Sequence, residues 1–389
     1  MNMSLSKTII KSIRKVTGKG KQQLHEPLFC GNEIKYLKRT ISTNSVSSIG
    51  DYVRKFEEKI KKITKSKFAI AVVNGTTALH ISLKVSGIKN NDEVLVPALT
   101  FVGTANAITY CGAIPHFVDS EIKTMGIDVE KMHRYLKKII IFKKGMAINK
   151  FTKRVIRAIV PVHVFGHACQ IDKIVQLAKK FNLIVLEDAA EALGSYYNKK
   201  HLGTFGLAGC LSFNGNKIIT TGGGGAVITN NKKFAKKIRH LSTTAKLPHK
   251  WEYIHNEVGY NYRMPNLNAA LGLAQLENLN LFTKKKRILY ERYFKVFKNI
   301  KNIYLFKELN ASKSNYWLQT LIIKKNYLIL KKKLLNEGFK SGLYLRPAWK
   351  LISSLKPYKT NPRMDLKGSM EIYNKIINLP SGQSILFKK

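Results

Sequence analysis

The chain has 389 residues, 44% of them hydrophobic, enough to bury a large core in two domains or in one large domain with an appendage. Its formal net charge is +45, from 68 Lys+Arg against 23 Asp+Glu, but the lysines are spread chain-wide, as in Lys61-Lys62-Ile63-Thr64-Lys65; this reads as a coding bias and argues against a specific nucleic-acid partner. Four scattered cysteines without clustered histidines argue against a metal site, and no uncharged run is long enough to span a bilayer, so a cytoplasmic protein with free thiols is expected.

Near the N-terminus, Ile9, Ile10, Ile13 and Val16 recur at helical spacing, which suits a short amphipathic helix docked on the body. A second helix is predicted over 52–63. Beyond it come short apolar strands over 68–73, 93–97, 114–118, 155–164, 183–186, 209–213 and 226–229, with helices at 78–85, 100–110 and 171–181. Strands alternating with helices predict an α/β domain with a mostly parallel sheet covered on both faces, its site at the carboxyl ends of the strands. A long helical pattern follows over 267–297, then a strand over 316–323, a helix over 326–337 and a strand over 342–345, a smaller α+β unit. The expected division is 1–64 as N-terminal helices and arm, 65–280 as the large α/β domain and 281–389 as the small C-terminal domain.

Three strand ends carry candidate chemistry. Asn74-Gly75-Thr76-Thr77 opens a helix and reads either as an ordinary helix start or as a phosphate cradle of free amides and hydroxyls. Asp188 lies one residue beyond the four apolar residues 183–186, where a carboxylate is costly without a cationic partner; an N-cap is the plain alternative. Ser212 ends a strand, Lys217 lies five residues on, and Gly222 to Gly225 suit a tight backbone passage. Taken together these are the parts for pyridoxal 5'-phosphate: Lys217 as the Schiff-base lysine, Asp188 on the pyridinium nitrogen, hydroxyls and amides on the phosphate.

With these motifs, and with Val96-Pro-Ala-Leu-Thr-Phe101, Pro161-Val-His-Val-Phe-Gly166, Glu187-Asp-Ala-Ala-Glu191 and Gly259-Tyr-Asn-Tyr-Arg-Met264, the sequence resembles the DegT-type nucleotide-sugar aminotransferases of fold-type I. Leu24-His-Glu-Pro27, Arg346-Pro-Ala-Trp349 and Asn378-Leu-Pro-Ser381 resemble the branch of legionaminic acid and bacillosamine pathways. The resemblance implies that Gly75, Thr76, Thr77 and Ser212 hold the cofactor phosphate, that Phe101 stacks on its ring and that Glu191 lies near its phenolic oxygen. It further implies a homodimer in which Asn261 reaches the neighbouring subunit's cofactor, with Arg346 and Trp349 bordering the substrate cleft. The implied reaction moves an amino group from glutamate to C4 of a UDP-linked 4-keto-6-deoxy-N-acetylhexosamine for surface glycan synthesis, or else of a dTDP- or GDP-linked keto-sugar. Relatives that dehydrate their sugars carry His where Lys217 stands. Two departures from the pattern are Ser45, where the branch has Trp, and His116, where a small aliphatic residue is expected.

Overall fold

The apolar runs of the first two-thirds of the chain become one seven-stranded sheet in the computed structural model, which describes residues 4–386. Its strands are β1 (Phe68–Val72), β2 (Glu93–Pro97), β3 (Ile114–Val118), β4 (Ile156–Ile159), β5 (Ile184–Asp188), β6 (Ala208–Ser212) and β7 (Gly225–Thr229). They lie in the order β1-β7-β6-β5-β4-β2-β3. Neighbours from β6 to β3 pair parallel, while β7 runs antiparallel to both β6 and β1. Parallel strands need crossovers, and the helices that supply them cover the faces. Gly75–Val85, Val102–Tyr110 and Lys232–Ser242 pack on one side. Asp51–Thr64 and Asn266–Glu277 pack with the other, where Phe56 meets Phe213 edge-on at 5.1 Å.

A second sheet follows, built from β8 (Ile303–Leu305), β9 (Gln319–Ile323), β10 (Arg346–Pro347) and β11 (Ile376–Leu379), antiparallel in the order β8-β9-β11-β10. The N-terminal helix Leu5–Thr17 docks here, burying Ile9, Ile13 and Val16 against a core that includes Leu289, Tyr293 and Leu334. No helix among the described residues is long and apolar enough to cross a membrane.

The structure corrects the expected elements in three places. The 267–297 pattern is two helices, Asn266–Glu277 and Leu279–Phe297, because the chain leaves helical geometry at Asn278. Residues 342–345 are not a strand: Gly342 takes φ +75°, Leu343 makes a lone bridge to Gln22, and pairing with β11 begins at Arg346. The strand predicted over 155–164 is confined to β4, after which the chain turns through Phe165 at φ +55°.

The register sets the site. Val72 and Ser212 both pair with Gly225, and Cys210 pairs with Asp188, so the ends of β1, β6 and β5 and the start of β7 share one edge. Gly225 is required there, because a Cβ would lie 2.4 Å from Asn74 O.

Candidate active site

At that edge lies a cavity of about 310 Å³. Lys217, Asp188, Glu191, Ser212, Gly75, Thr76, Phe101 and Trp349 all line it. Segments far apart in sequence therefore deliver the predicted groups to one place.

Lys217 rides on the loop after β6. That loop is closed by Thr221, whose N–H donates to Phe213 O at 2.9 Å and whose hydroxyl donates to Gly223 O at 2.8 Å. Asn268 Nδ2 holds it from outside through Thr221 O at 2.7 Å. Lys217 Nζ donates to Glu191 Oε1 at 3.1 Å and lies 4.0 Å from the centroid of the Trp317 ring.

Asp188 ends β5. Its Oδ2 accepts from Thr104 Oγ1 at 2.8 Å and its Oδ1 from the Ala190 amide at 3.1 Å. Burial raises its pKa above the ordinary carboxylate value, and the Thr104 hydroxyl, the Ala190 amide and Lys217 work against that rise. A cationic ring nitrogen placed against this carboxylate would relieve its burial cost. Glu191 is likewise raised by burial, against the pull of Lys217 and the Phe165 amide. That amide donates to Glu191 Oε2 at 2.7 Å, and the left-handed backbone at Phe165 aims it.

The helix Gly75–Val85 points its N-terminus into the cavity. Asn74 caps it, accepting from the Thr77 amide at 2.8 Å, while the Thr77 hydroxyl donates to Asn74 O at 2.8 Å. Among the described residues the Gly75 and Thr76 amides have no hydrogen-bond acceptor, and neither does the Thr76 or the Ser212 hydroxyl. Those free donors at a helix N-terminus suit a phosphate dianion. Gly75 has to be small, since a Cβ there would come within 2.9 Å of Ser212 Cβ.

Three predicted residues fall outside this chain's cavity. The amide and hydroxyl of Thr77 are consumed by the cap, so it supports the cradle from behind. Asn261 is exposed and lines a separate surface pocket with Thr244, Lys246 and Arg263. Arg346 is exposed on β10 and is not among the lining residues. Conversely, sequence reasoning missed Thr100, Thr104, Asn214, Asn216 and Trp317, all of which line the cavity. The one readable signal was Thr100-x-x-x-Thr104, a spacing that brings the two hydroxyls within 2.9 Å.

A single amine between a buried carboxylate and an open helix end, on a mostly parallel α/β sheet, defines the class: a fold-type I, pyridoxal-phosphate-dependent aminotransferase. Residues 30–386 match the DegT/DnrJ/EryC1/StrS aminotransferase family, and the chain belongs to it. It is 38% identical over 299 residues to a GDP-perosamine synthase of Escherichia coli O157:H7, covering 77% of each chain. It is 34% identical over 375 residues to the putative pyridoxal phosphate-dependent aminotransferase EpsN of Bacillus subtilis (strain 168), covering 93% of this chain and 91% of that one. Among solved structures, PseC of Helicobacter pylori, an aminotransferase involved in the biosynthesis of pseudoaminic acid, superposes with a TM-score of 0.83 at 26% identity over 93% of this chain and 94% of that one.

Proposed function

We propose that the protein transfers an amino group from an amino acid, glutamate in the simplest case, to the C4 carbonyl of a nucleotide-linked 4-keto-6-deoxyhexose, for glycan synthesis. The observation that carries this is the meeting of Lys217, Asp188 and the free Gly75 and Thr76 amides in one cavity. Pyridoxal phosphate, when bound, supplies a carbonyl for amines and a ring that accepts an electron pair. Thr76, Ser212 and the two amides would hold its phosphate, Asp188 would keep its ring nitrogen protonated, and Phe101 would cover the ring. Lys217 takes and returns the proton at the substrate carbon, with Glu191 holding its ammonium at 3.1 Å between transfers.

The nucleotide has two readings. The motifs around His25 and Trp349 favour a UDP-linked N-acetylhexosamine. A GDP-linked sugar is favoured by the relatives, because GDP-perosamine synthases stand at 38% and 37% identity. Incubating the purified protein with glutamate and each keto-sugar, and identifying the amino sugar by mass spectrometry, separates them. Lys217→Ala is expected to abolish both the product and the cofactor absorbance band. A protein that never takes up the cofactor, or a fully active Lys217→Ala, refutes the assignment.

A homodimer is part of the same reading. Phe101 is 55% exposed at the cavity mouth, and Trp251, Tyr253 and Val258 stand more than three-quarters exposed on the segment leading to Asn261. Apolar side chains left open in that number suit burial against a second copy. Mixing Lys217→Ala with Asn261→Ala subunits is expected to restore partial activity that neither variant has alone; no recovery on mixing would place Asn261 outside the partner's site.

A further inference from the structure

Trp317 comes from the segment leading into β9, yet it forms a wall of the Lys217 cavity. Its ring centroid is 4.0 Å from Lys217 Nζ, well inside cation–π range, and the same ammonium reaches Glu191. The ring is pinned from several sides. Its indole N–H donates to Asn216 O at 2.7 Å, on the residue before Lys217. Its backbone N–H donates to Asn315 Oδ1 at 2.8 Å, and Asn315 Nδ2 donates to Glu191 O at 2.8 Å, so one asparagine ties the tryptophan to the glutamate. The Trp317 carbonyl accepts from Lys286 Nζ at 2.8 Å.

Lys286 is fully buried in the helix Leu279–Phe297 and donates also to Ser381 O. Burial lowers its pKa well below the ordinary lysine value, which marks the cost of keeping an amine there. The Lys217–Glu191 contact does not require it. What it does is fix the backbone of Trp317 against the end of β11. His25 packs near the indole, its ring 6.4 Å away and tilted by 44°, with both nitrogens buried and unpartnered. Burial, and then the charges of Lys286 and Lys217, lower the pKa of that ring well below the ordinary value, so it brings no competing imidazolium to the indole.

We propose that Trp317 is a positioning residue for Lys217: the indole face, locked by Lys286 and Asn216, holds the free ammonium beside Glu191 whenever Lys217 is not bonded to the cofactor. This rests on Lys217 being the reacting amine. A lysine stem has many rotamers, and an unheld amine would have to find its way back before each proton transfer. Holding it at the indole keeps the proton donor within reach of the substrate carbon, and from there the same group, once it has given up its proton, acts as the base. The holding group belongs to the segment that carries the second sheet, so any shift of that segment reaches the amine directly.

The test uses the cofactor-free protein, methylated with formaldehyde and a borane reductant, with the Lys217 peptide quantified by mass spectrometry. Trp317→Leu is expected to speed labelling of Lys217 about tenfold, whereas Trp317→Phe, which keeps an aromatic face, stays within about twofold of the original chain. Lys286→Met, with the indole intact but its carbonyl released, is expected to speed labelling about threefold, and it carries the test if Trp317→Leu does not fold. In the loaded enzyme Trp317→Leu lowers kcat and leaves KM for the keto-sugar unchanged. Equal acceleration in the Phe and Leu variants, or no acceleration in Leu and Met, overturns the proposal. A fully active Lys217→Ala would instead overturn the aminotransferase reading beneath it.

Discussion

Thr104 presents Asp188 to the cavity on a short hydroxyl chain: it donates to Oδ2 at 2.8 Å and meets Thr100 at 2.9 Å. Thr104→Val keeps the shape and removes the donor, leaving Ala190 as the carboxylate's hydrogen-bond donor. Bonds to charged groups are worth roughly 1.5–3 kcal/mol, so cofactor affinity should fall about tenfold or more in a fluorescence titration. Unchanged affinity would mean that Asp188 does not serve the cofactor ring. Lys217, Asp188 and Ser212 were legible in the sequence because each follows an apolar strand run. Trp317 was not, since only the fold brings its segment to the lysine, and Asn214, three residues before Lys217, carries no pattern of its own. Two other single residues set an acid limit. His167 sits edge-on between Phe306 and Tyr316 with both nitrogens unpartnered, and burial, helped by Arg287, lowers its pKa to about 3. His201, which accepts from the Gly194 amide, is lowered by burial to about 4. Both pKa values are depressed on folding, so stability is intact above the ordinary 6.5 and drains as pH falls toward those values. At pH 5 each histidine costs about 2 kcal/mol. Thermal melts from pH 7.5 to 5 should show the loss, and His167→Leu should flatten it; an unaltered pH slope in that variant excludes His167 as a cause.

At the scale of elements, β2 and β3 are tied by a pair that explains the unexpected His116. Glu93 is fully buried at the start of β2, where its Oε2 lies 2.7 Å from His116 Nδ1 on β3. The other imidazole nitrogen meets Tyr135 OH at 2.9 Å, and the hairpin Ile140–Lys143/Met146–Asn149 supplies Asn149 Nδ2 to Glu93 at 2.9 Å. The His stands where an aliphatic residue is expected because it meets a buried carboxylate two residues along the neighbouring strand from its register partner Leu95. His116→Val removes one partner of that carboxylate, leaving Asn149, Thr152 and, at 4.0 Å, Arg154, and should cost about 2 kcal/mol in urea unfolding, with specific activity of the folded fraction unchanged because neither residue lines the cavity. The double change Glu93→Leu/His116→Val should recover most of the loss; a double variant as weak as the single would show that cavity formation, not the lost hydrogen bond to the carboxylate, sets the cost. The strands of the large sheet were readable because buried parallel strands are nearly continuous apolar runs. The helix Val129–Ile139 went unread among its lysines, although Val129, Met132, Leu136 and Ile139, the residues it buries, carry the helical period. The two-residue strands Tyr196–Tyr197 and Lys200–His201 hold no period at all.

For the whole molecule, the charge remains the dominant property outside the site. With 68 Lys+Arg against 23 Asp+Glu, most cations have no carboxylate to meet, and the fold carries their mutual repulsion. The ion pairs that do form include exposed ones, such as Arg54 with Asp51 at 3.7 Å, worth little in water. Screening should therefore stabilise this protein rather than weaken it. The Debye length shrinks from about 30 Å at 0.01 M salt to about 10 Å at 0.1 M, so repulsion between exposed charges farther apart than that is largely screened. The melting temperature is expected to climb by several degrees over that range and then level off, the reverse of a protein whose surface pairs dominate. The same charge predicts adhesion to heparin or duplex DNA in low salt, without sequence preference, that is lost steeply as salt rises. Paired measurements of melting temperature and DNA retention against salt decide the matter. Sequence-dependent binding that survives at physiological salt would make the lysines a nucleic-acid interface. A melting temperature that drops on adding salt would show that attraction between charges, not repulsion, governs the fold.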